Sequence, residues 1–135
     1  MPFVLDVSIV GAWVFADEND PRADIALDLI ARDFAVVPVQ WWFEMRNMLL
    51  LGGRRGRISE PQTRELLGWL AKLKIQLAPL PVGDDLLALA RRRNLTFYDA
   101  AYLDLALRDR IALATLDRTL TAAAESEGAT LISVS

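Results

Sequence analysis

The stretch that decides the fold lies at the start of the chain and reads Phe3-Val4-Leu5-Asp6-Val7-Ser8. Its apolar residues follow one another without alternating with polar ones, which is the pattern of a parallel strand buried on both faces. We expect a strand at residues 3–7 and, with Ser8 as its N-cap, a helix that ends near Ala16. Similar short apolar runs predict four further strands, at residues 34–37, 74–78, 111–114 and 130–134.

Predicted helices separate these strands along the chain. They cover residues 22–32, 41–51, 60–73, 84–93, 97–108 and 117–126. Gly52-Gly53 is expected to end the helix at 41–51, because glycine is the residue most favoured just past a helix. The alternation of apolar strands with helices predicts an α/β fold, a three-layer α/β/α arrangement with a central parallel sheet of four to five strands. We expect residues 1–135 to form one domain, with its site where the strand order reverses.

The composition excludes several kinds of chemistry. The chain has 135 residues, of which 53% are hydrophobic, and it contains neither cysteine nor histidine. Thiol nucleophiles, disulfides, Ser-His-Asp triads and histidine-based zinc sites are therefore excluded. Carboxylates, hydroxyls and water remain, and oxygen ligands of this kind suit Mg²⁺ or Mn²⁺. Neither a membrane-spanning run nor a secretory signal is recognisable, which predicts a cytoplasmic protein.

Four carboxylates stand beside apolar runs, where burial disfavours the charged form. They are Asp6, Glu44, Asp99 and Asp117. Each has an ordinary explanation: two follow strands and can cap the next helix, Glu44 suits a first helical turn, and Asp99 can complete a capping box with Thr96. The set is more informative, because converging carboxylates repel one another unless a cation lies among them. Asp104 projects away from Asp99 on the same helix and is expected at the surface.

A cation held by carboxylates predicts hydrolytic chemistry. A divalent ion lowers the pKa of a bound water and stabilises the negative charge that builds on a phosphate during attack. Asp, Glu and water are the groups that the composition leaves for this work. The residues alone therefore favour a metal-dependent enzyme that hydrolyses phosphodiester bonds.

Four short motifs, in this order, resemble those of the PIN-domain ribonucleases and, more narrowly, of the VapC-type toxins of toxin–antitoxin pairs. They are Val4-Leu5-Asp6-Val7-Ser8, Glu44-x-x-Asn47, Tyr98-Asp99-Ala100-Ala101-Tyr102-Leu103 and Ala114-Thr115-Leu116-Asp117-Arg118. The resemblance extends from Leu5 to about Leu120. It implies a central parallel sheet between helices and an endoribonuclease that depends on Mg²⁺ or Mn²⁺.

The resemblance also implies roles for particular residues and partners. Asp6, Glu44, Asp99 and Asp117 would be the catalytic carboxylates, and all of them except Glu44 would be metal ligands. Ser8 and Thr115 match positions that hydrogen-bond those carboxylates, and Asn47 matches the polar residue one turn after the glutamate. The implied partners are an RNA substrate, a cognate antitoxin and a second copy of the chain. Many members carry another acidic residue where this chain has Thr119, which implies weaker metal binding or one ion instead of two.

Basic and aromatic residues suggest where partners bind. The formal net charge is −3, so any attraction for RNA must come from local clusters. Arg46, Arg54 and Arg55 are candidate phosphate contacts, whereas the arginines at 91–93 are explained by the C-terminal end of a helix. Trp41 and Trp42 cannot share one helix face, so at least one is expected to be exposed for a partner.

Two other classes of function are compatible with the predicted fold. A phosphoacceptor signalling domain would need an acidic pair after the first strand and a lysine after the last long strand. Asp6 is flanked by apolar residues, and the lysines of the chain are Lys72 and Lys74, so this class is disfavoured. A non-catalytic protein-binding module of the same fold is the alternative that remains open.

Overall fold

The computed structural model describes residues 1–134 and contains one parallel four-stranded sheet. The strands are β1 (Phe3–Leu5), β2 (Ala35–Val37), β3 (Ile75–Leu77) and β4 (Ala112–Ala114), in the order β3-β2-β1-β4. Phe3 pairs with Ala35 on one side and with Ala112 on the other. The strand order therefore reverses between β1 and β4, and a crevice at the carboxyl ends of these two strands is the expected place for a site.

Helices cover both faces of the sheet and give the predicted three-layer α/β/α arrangement. They are α1 (Val7–Val14), α2 (Pro21–Arg32), α3 (Trp41–Arg54), α4 (Glu60–Leu70), α5 (Asp85–Arg93), α6 (Phe97–Asp109) and α7 (Arg118–Ser126), with a 3₁₀ turn at Ala16–Glu18. Helix α1 packs on α2 and α3, while α6 packs on α5, α7 and β1. Within residues 1–134, no helix combines the length and the apolar character needed to cross a membrane.

The core lies between the sheet and its two helical layers. Leu5 and Leu113 of adjacent strands are fully buried, together with Ile9 of α1 and Leu103 of α6. Leu5 and Leu113 belong to the continuous apolar runs from which the buried parallel sheet is predicted. Burial of such side chains is the main source of the stability of a domain of this size.

The start of α1 differs from the prediction. The strand ends at Leu5, Asp6 is the extended N-cap residue, and the helix begins at Val7. The expected cap, Ser8, lies inside the first turn, and its hydroxyl donates a hydrogen bond to the Asp6 carboxylate instead. The prediction was wrong because the tertiary partners of Ser8, which the sequence does not reveal, compete with a local capping bond.

The end of α3 also differs, because the helix continues through both glycines to Arg54. Gly52 is buried, and a Cβ atom at this position would lie 2.8 Å from Cζ of Phe15. The glycine is therefore explained by the close approach of a phenyl ring and not by helix termination. Phe15 is itself fixed between the core and the guanidinium of Arg57, 4.0 Å from its ring centroid.

Adjacent glycines in α3 are expected to respond oppositely to alanine. Gly52→Ala should lower the free energy of unfolding by about 1–3 kcal/mol, because the buried Phe15 ring must move. Gly53→Ala should raise it by about 0.5–1 kcal/mol, because alanine is the better helix former and the nearest atom is 3.7 Å away. Urea unfolding of the two variants measures the difference. Equal effects would contradict the assigned contact with Phe15.

The fifth predicted strand is reduced to a single bridge. Leu131 pairs with Leu113 in parallel, and the rest of residues 130–134 is not a strand. Two backbone hydrogen bonds form this bridge, since Leu113 donates to the oxygen of Thr130 and accepts from the N–H of Ile132. The pairing of the C-terminal segment with β4 is therefore limited to one residue pair.

Candidate active site

Asp6 is a buried carboxylate at the carboxyl end of β1, beside β4. Its Oδ2 atom accepts hydrogen bonds from Oγ of Ser8, at 2.6 Å, and from Oγ1 of Thr115, at 2.7 Å. Asp6 and Thr115 are 6% and 3% exposed. Desolvation raises the pKa of Asp6, and the charge of Asp99 raises it further, although the two hydroxyl groups partly oppose this rise. A carboxylate with restricted orientation and little hydration results.

Ser8 and Thr115 also join the ends of the two strands. The backbone N–H of Leu116 donates to Oγ of Ser8, and the N–H of Asp117 donates to Oγ1 of Thr115. The two hydroxyl groups therefore bind both the Asp6 carboxylate and the loop that leads into α7. Of the three residues named from the sequence as supporting, Ser8 and Thr115 contact Asp6, whereas Asn47 lines the groove.

Glu44 lies in the first turn of α3 and is held by α6. The hydroxyl of Tyr102, which is fully buried, donates to Oε1 of Glu44 at 3.2 Å. Desolvation raises the pKa of Glu44 to about 7, and the charges of Asp6 and Asp99 contribute to the rise. Desolvation raises the pKa of Tyr102, and the charges of the nearby carboxylates raise it further. The phenol therefore stays protonated and can donate its hydrogen bond.

Asp99 and Asp117 occupy the first turn and the N-cap of two neighbouring helices, α6 and α7. Oγ1 of Thr96 accepts a hydrogen bond from the backbone N–H of Asp99, as in half of a capping box. Desolvation and then the charge of Asp117 raise the pKa of Asp99. Asp117 caps α7 by accepting the N–H of Leu120 at 2.8 Å. Asp117 therefore does act as a helix cap, and its negative charge also raises the pKa of Asp99.

The four carboxylates form one electrostatic cluster beside an open groove of about 620 Å³. Glu44, Asn47 and Asp99 line this groove, while Asp6 lies deeper and Asp117 borders Asp99. Among residues 1–134, no arginine or lysine forms an ion pair with any of the four. The negative charge of the cluster therefore has no counter-ion from the protein in the part of the chain described.

The donor set fits a divalent cation of the magnesium type. Every available ligand is an oxygen atom, which is the preference of Mg²⁺ and Mn²⁺. Across the described residues, no three acidic side chains already approach one another closely enough to hold an ion. Mg²⁺ retains several waters and takes one or two carboxylates directly, so an incompletely closed cluster meets its needs.

The arginines named from the sequence lie outside the groove. The guanidinium of Arg46 stacks over the ring of Trp42, 3.7 Å from its centroid. Arg54 and Arg55 lie at the other end of α3 from Glu44, about 15 Å along the helix axis at 1.5 Å per residue. Arg57, two positions after Arg55, forms ion pairs with Asp17 and Glu18.

Two further expectations can be compared with the structure. Trp42 is 44% exposed whereas Trp41 is buried, which confirms that one of the pair is exposed. Asp104 was expected at the surface, but its side chain is only 17% exposed and desolvation raises its pKa. The helix turns Asp104 away from Asp99, and with Arg108 it lines a neighbouring cavity that shares Gln40 and Tyr98 with the groove.

Two residues of the site were missed by the sequence analysis. Tyr102 holds Glu44, and Nε2 of Gln40 donates to the backbone oxygen of Tyr98 at 3.1 Å, which joins the beginnings of α3 and α6. The spacing of Tyr102, three positions after Asp99, places both on one helix face and is a signal that could have identified the tyrosine. Nothing comparable marks Gln40.

Fold and site together define a parallel α/β domain with an acidic groove at its switch point, and a family model described as PIN domain matches residues 3–133. The chain belongs to the PIN domain family. It is similar to Ribonuclease VapC3 from Pyrobaculum aerophilum, with 32% identity over 128 residues that cover 89% of this chain and 92% of that protein. The crystal structure of PAE2754 from Pyrobaculum aerophilum has a similar fold, with a TM-score of 0.74 and 23% identity over 98% of this chain and 90% of that chain.

Proposed function

We propose that the protein is an endoribonuclease that depends on Mg²⁺ or Mn²⁺ and acts as the toxin of a toxin–antitoxin pair. The observation that carries the proposal is the cluster of Asp6, Glu44, Asp99 and Asp117. Neighbouring negative charges raise the pKa of the first three, and none of the four has a basic partner within residues 1–134. Similarity to a protein named Ribonuclease VapC3 supports RNA as the substrate.

In this proposal Asp6, Asp99 and Asp117 surround the cation, which would take one or two of them directly and the rest through bound water. When bound, the cation supplies a water of lowered pKa and stabilises charge on the phosphate. Ser8 and Thr115 fix the orientation of the Asp6 carboxylate through its Oδ2 atom. Thr119 in the first turn of α7 supplies no carboxylate beside Asp117, which favours one ion in preference to two.

Glu44 is the proposed general base. The pKa of Glu44 is about 7 in the metal-free protein, and a cation beside Asp6 and Asp99 would lower it, which favours the ionised form that accepts a proton from water. The hydroxyl of Tyr102 fixes one carboxylate oxygen by donating to it. Asn47 follows Glu44 by one helical turn and lines the groove, where its amide is available to a phosphate or a ribose.

Binding partners form a further part of the proposal. Arg46, Arg54 and Arg55 are the proposed phosphate contacts, and Arg46 lies nearest to the groove along α3. A cognate antitoxin and a second copy of the chain are the proposed protein partners.

The alternative function, a non-catalytic protein-binding module, is favoured by exposed apolar residues such as Leu80 and Val82, which are 70% and 93% exposed. Residues 1–135 are proposed to act as one domain in the cytoplasm, where RNA substrates lie.

Expression in bacterial cells tests the toxin assignment. Induction of the wild-type chain should arrest growth and create new RNA 5′ ends that sequencing of total RNA detects. The Asp99→Asn chain, expressed to the same level, should do neither. Harmless expression of folded wild-type protein without new RNA ends would support the binding-module alternative.

The metal-free protein should lose stability as the pH rises from about 4.5 to about 7. Glu44 has an ordinary pKa of 4.5 and a folded-state pKa of about 7, so the folded state binds more protons than the unfolded state in this range. Its contribution is fully present below 4.5 and is lost as the pH passes 7, a loss on the order of 1–2 kcal/mol because solvent screens a half-buried carboxylate. Urea unfolding in EDTA measures the slope, which Glu44→Gln should reduce. An unchanged slope in this variant would contradict the assigned pKa.

A further inference from the structure

Two exposed aromatic rings flank the acidic groove and have no function in the proposed hydrolysis. Phe43 and Tyr98 line the same groove as Glu44 and Asp99, and each immediately precedes one of these carboxylates in the chain. Their exposed fractions are 69% and 63%. Leaving large rings in water forgoes the stabilisation that their burial would give, so their place beside the groove needs another explanation.

The two rings are carried by elements that are held together. Gln40, at the N-cap of α3, donates to the backbone oxygen of Tyr98 in the first turn of α6. Phe43 meets the edge of Trp42, with ring centroids 5.0 Å apart, and Trp42 is covered on a face by Arg46. Phe43 and Trp42 therefore form a continuous aromatic surface on α3 beside the groove, and the guanidinium of Arg46 covers one face of Trp42.

A nucleobase is the ligand whose chemistry matches this arrangement. Its flat face stacks on an exposed ring, while the phosphate beside it needs the cation of the acidic cluster and the charge of Arg46. In a duplex the faces of the bases are already covered by their neighbours, so only unpaired nucleotides present a face to both rings. Because stacking is open to every base, the rings favour single strands without specifying a sequence.

We propose that Phe43 and Tyr98 are positioning residues that stack on the bases next to the scissile phosphate. The inference rests on the proposed function, since it assigns these rings to the same groove. An interface with a second protein chain is the competing use of exposed rings, and the test includes it.

Steady-state cleavage of a mixed single-stranded RNA pool tests the proposal. Phe43→Ala and Tyr98→Ala should each raise KM about tenfold, with kcat changed little. The ring-retaining variants Phe43→Tyr and Tyr98→Phe should restore the wild-type KM. Phe97→Ala is the matched control, because Phe97 is also exposed and adjoins Tyr98 but does not line the groove. It lines only the neighbouring cavity, which shares Tyr98 with the groove. Wild-type KM values in both alanine variants would overturn the proposal.

Binding without cleavage separates this inference from the proposed hydrolysis. In a Glu44→Gln background with Mn²⁺, fluorescence anisotropy should detect tighter binding of a labelled single-stranded RNA than of the same strand in a duplex. Phe43→Ala should remove that preference, and Phe97→Ala should retain it. A preserved preference overturns the stacking role even if the wild type cleaves RNA. A changed sedimentation coefficient with unchanged RNA binding would also overturn it and assign the ring to a protein interface.

Discussion

Asp99→Asn is expected to lower the rate of RNA cleavage by about two to three orders of magnitude, the range found when one electrostatic contact of a catalytic site is removed. Asp99 links Asp6 electrostatically to Asp117. Its charge raises the pKa of Asp6, and the charge of Asp117 raises the pKa of Asp99. The amide removes the negative charge and keeps the side-chain shape. Cleavage of a mixed RNA pool in Mn²⁺ under single-turnover conditions measures the loss.

Asp104→Asn is the matched control for this prediction. Asp104 lies on the same helix and is also partly buried with a raised pKa, but it pairs with Arg108 and does not line the groove. Its variant should cleave RNA at close to the wild-type rate. Similar losses in the two variants would indicate a general effect on α6 and would contradict a specific role for Asp99.

Asp6→Asn is expected to stabilise the metal-free protein while removing its stabilisation by Mn²⁺. The ionised Asp6 is desolvated and lies near Asp99, so a neutral side chain relieves an unfavourable charge. A gain on the order of 1 kcal/mol should raise Tm by roughly 4 °C for a chain of this size. Wild-type protein should instead gain about 2.7 kcal/mol from Mn²⁺ at a hundred times its Kd.

Thermal unfolding with Mn²⁺ and with EDTA measures both parts of this prediction. Asp33→Asn provides a control, since Asp33 is a surface carboxylate paired with the amino terminus. It should retain the full Mn²⁺ effect. If Asp6→Asn were stabilised by Mn²⁺ as strongly as the wild type, Asp6 would not be a ligand.

The architecture could be predicted because each buried strand is a short apolar run with a helix on either side. Sites in such sheets lie at the carboxyl ends of the strands where the strand order reverses. Asp6 follows β1 and Asp117 follows β4 at this point. Errors arose where a local signal competed with a distant contact. Gly52-Gly53 carries the usual signal for a helix end, yet the ring of Phe15, far away in the chain, explains Gly52.

The sequence indicates the carboxylates of the candidate site but not the contacts that orient them. Tyr102 and Glu44 are 58 positions apart, and their hydrogen bond depends on how α3 packs near α6. Arg57 looks like its neighbours Arg54 and Arg55, but two acidic residues of the 3₁₀ turn pair with it. Such pairings are set by tertiary packing, about which a single sequence carries little information.

Metal-dependent RNA cleavage by the wild-type protein is the measurement that tests the central claim most directly. A labelled mixed RNA pool would be incubated with the purified protein while Mg²⁺ or Mn²⁺ is titrated against EDTA. The acidic cluster predicts cleavage that rises with the concentration of the ion, saturates and stops on chelation. Cleavage that continues unchanged in excess EDTA, or no cleavage of any RNA at saturating metal, would contradict the proposal.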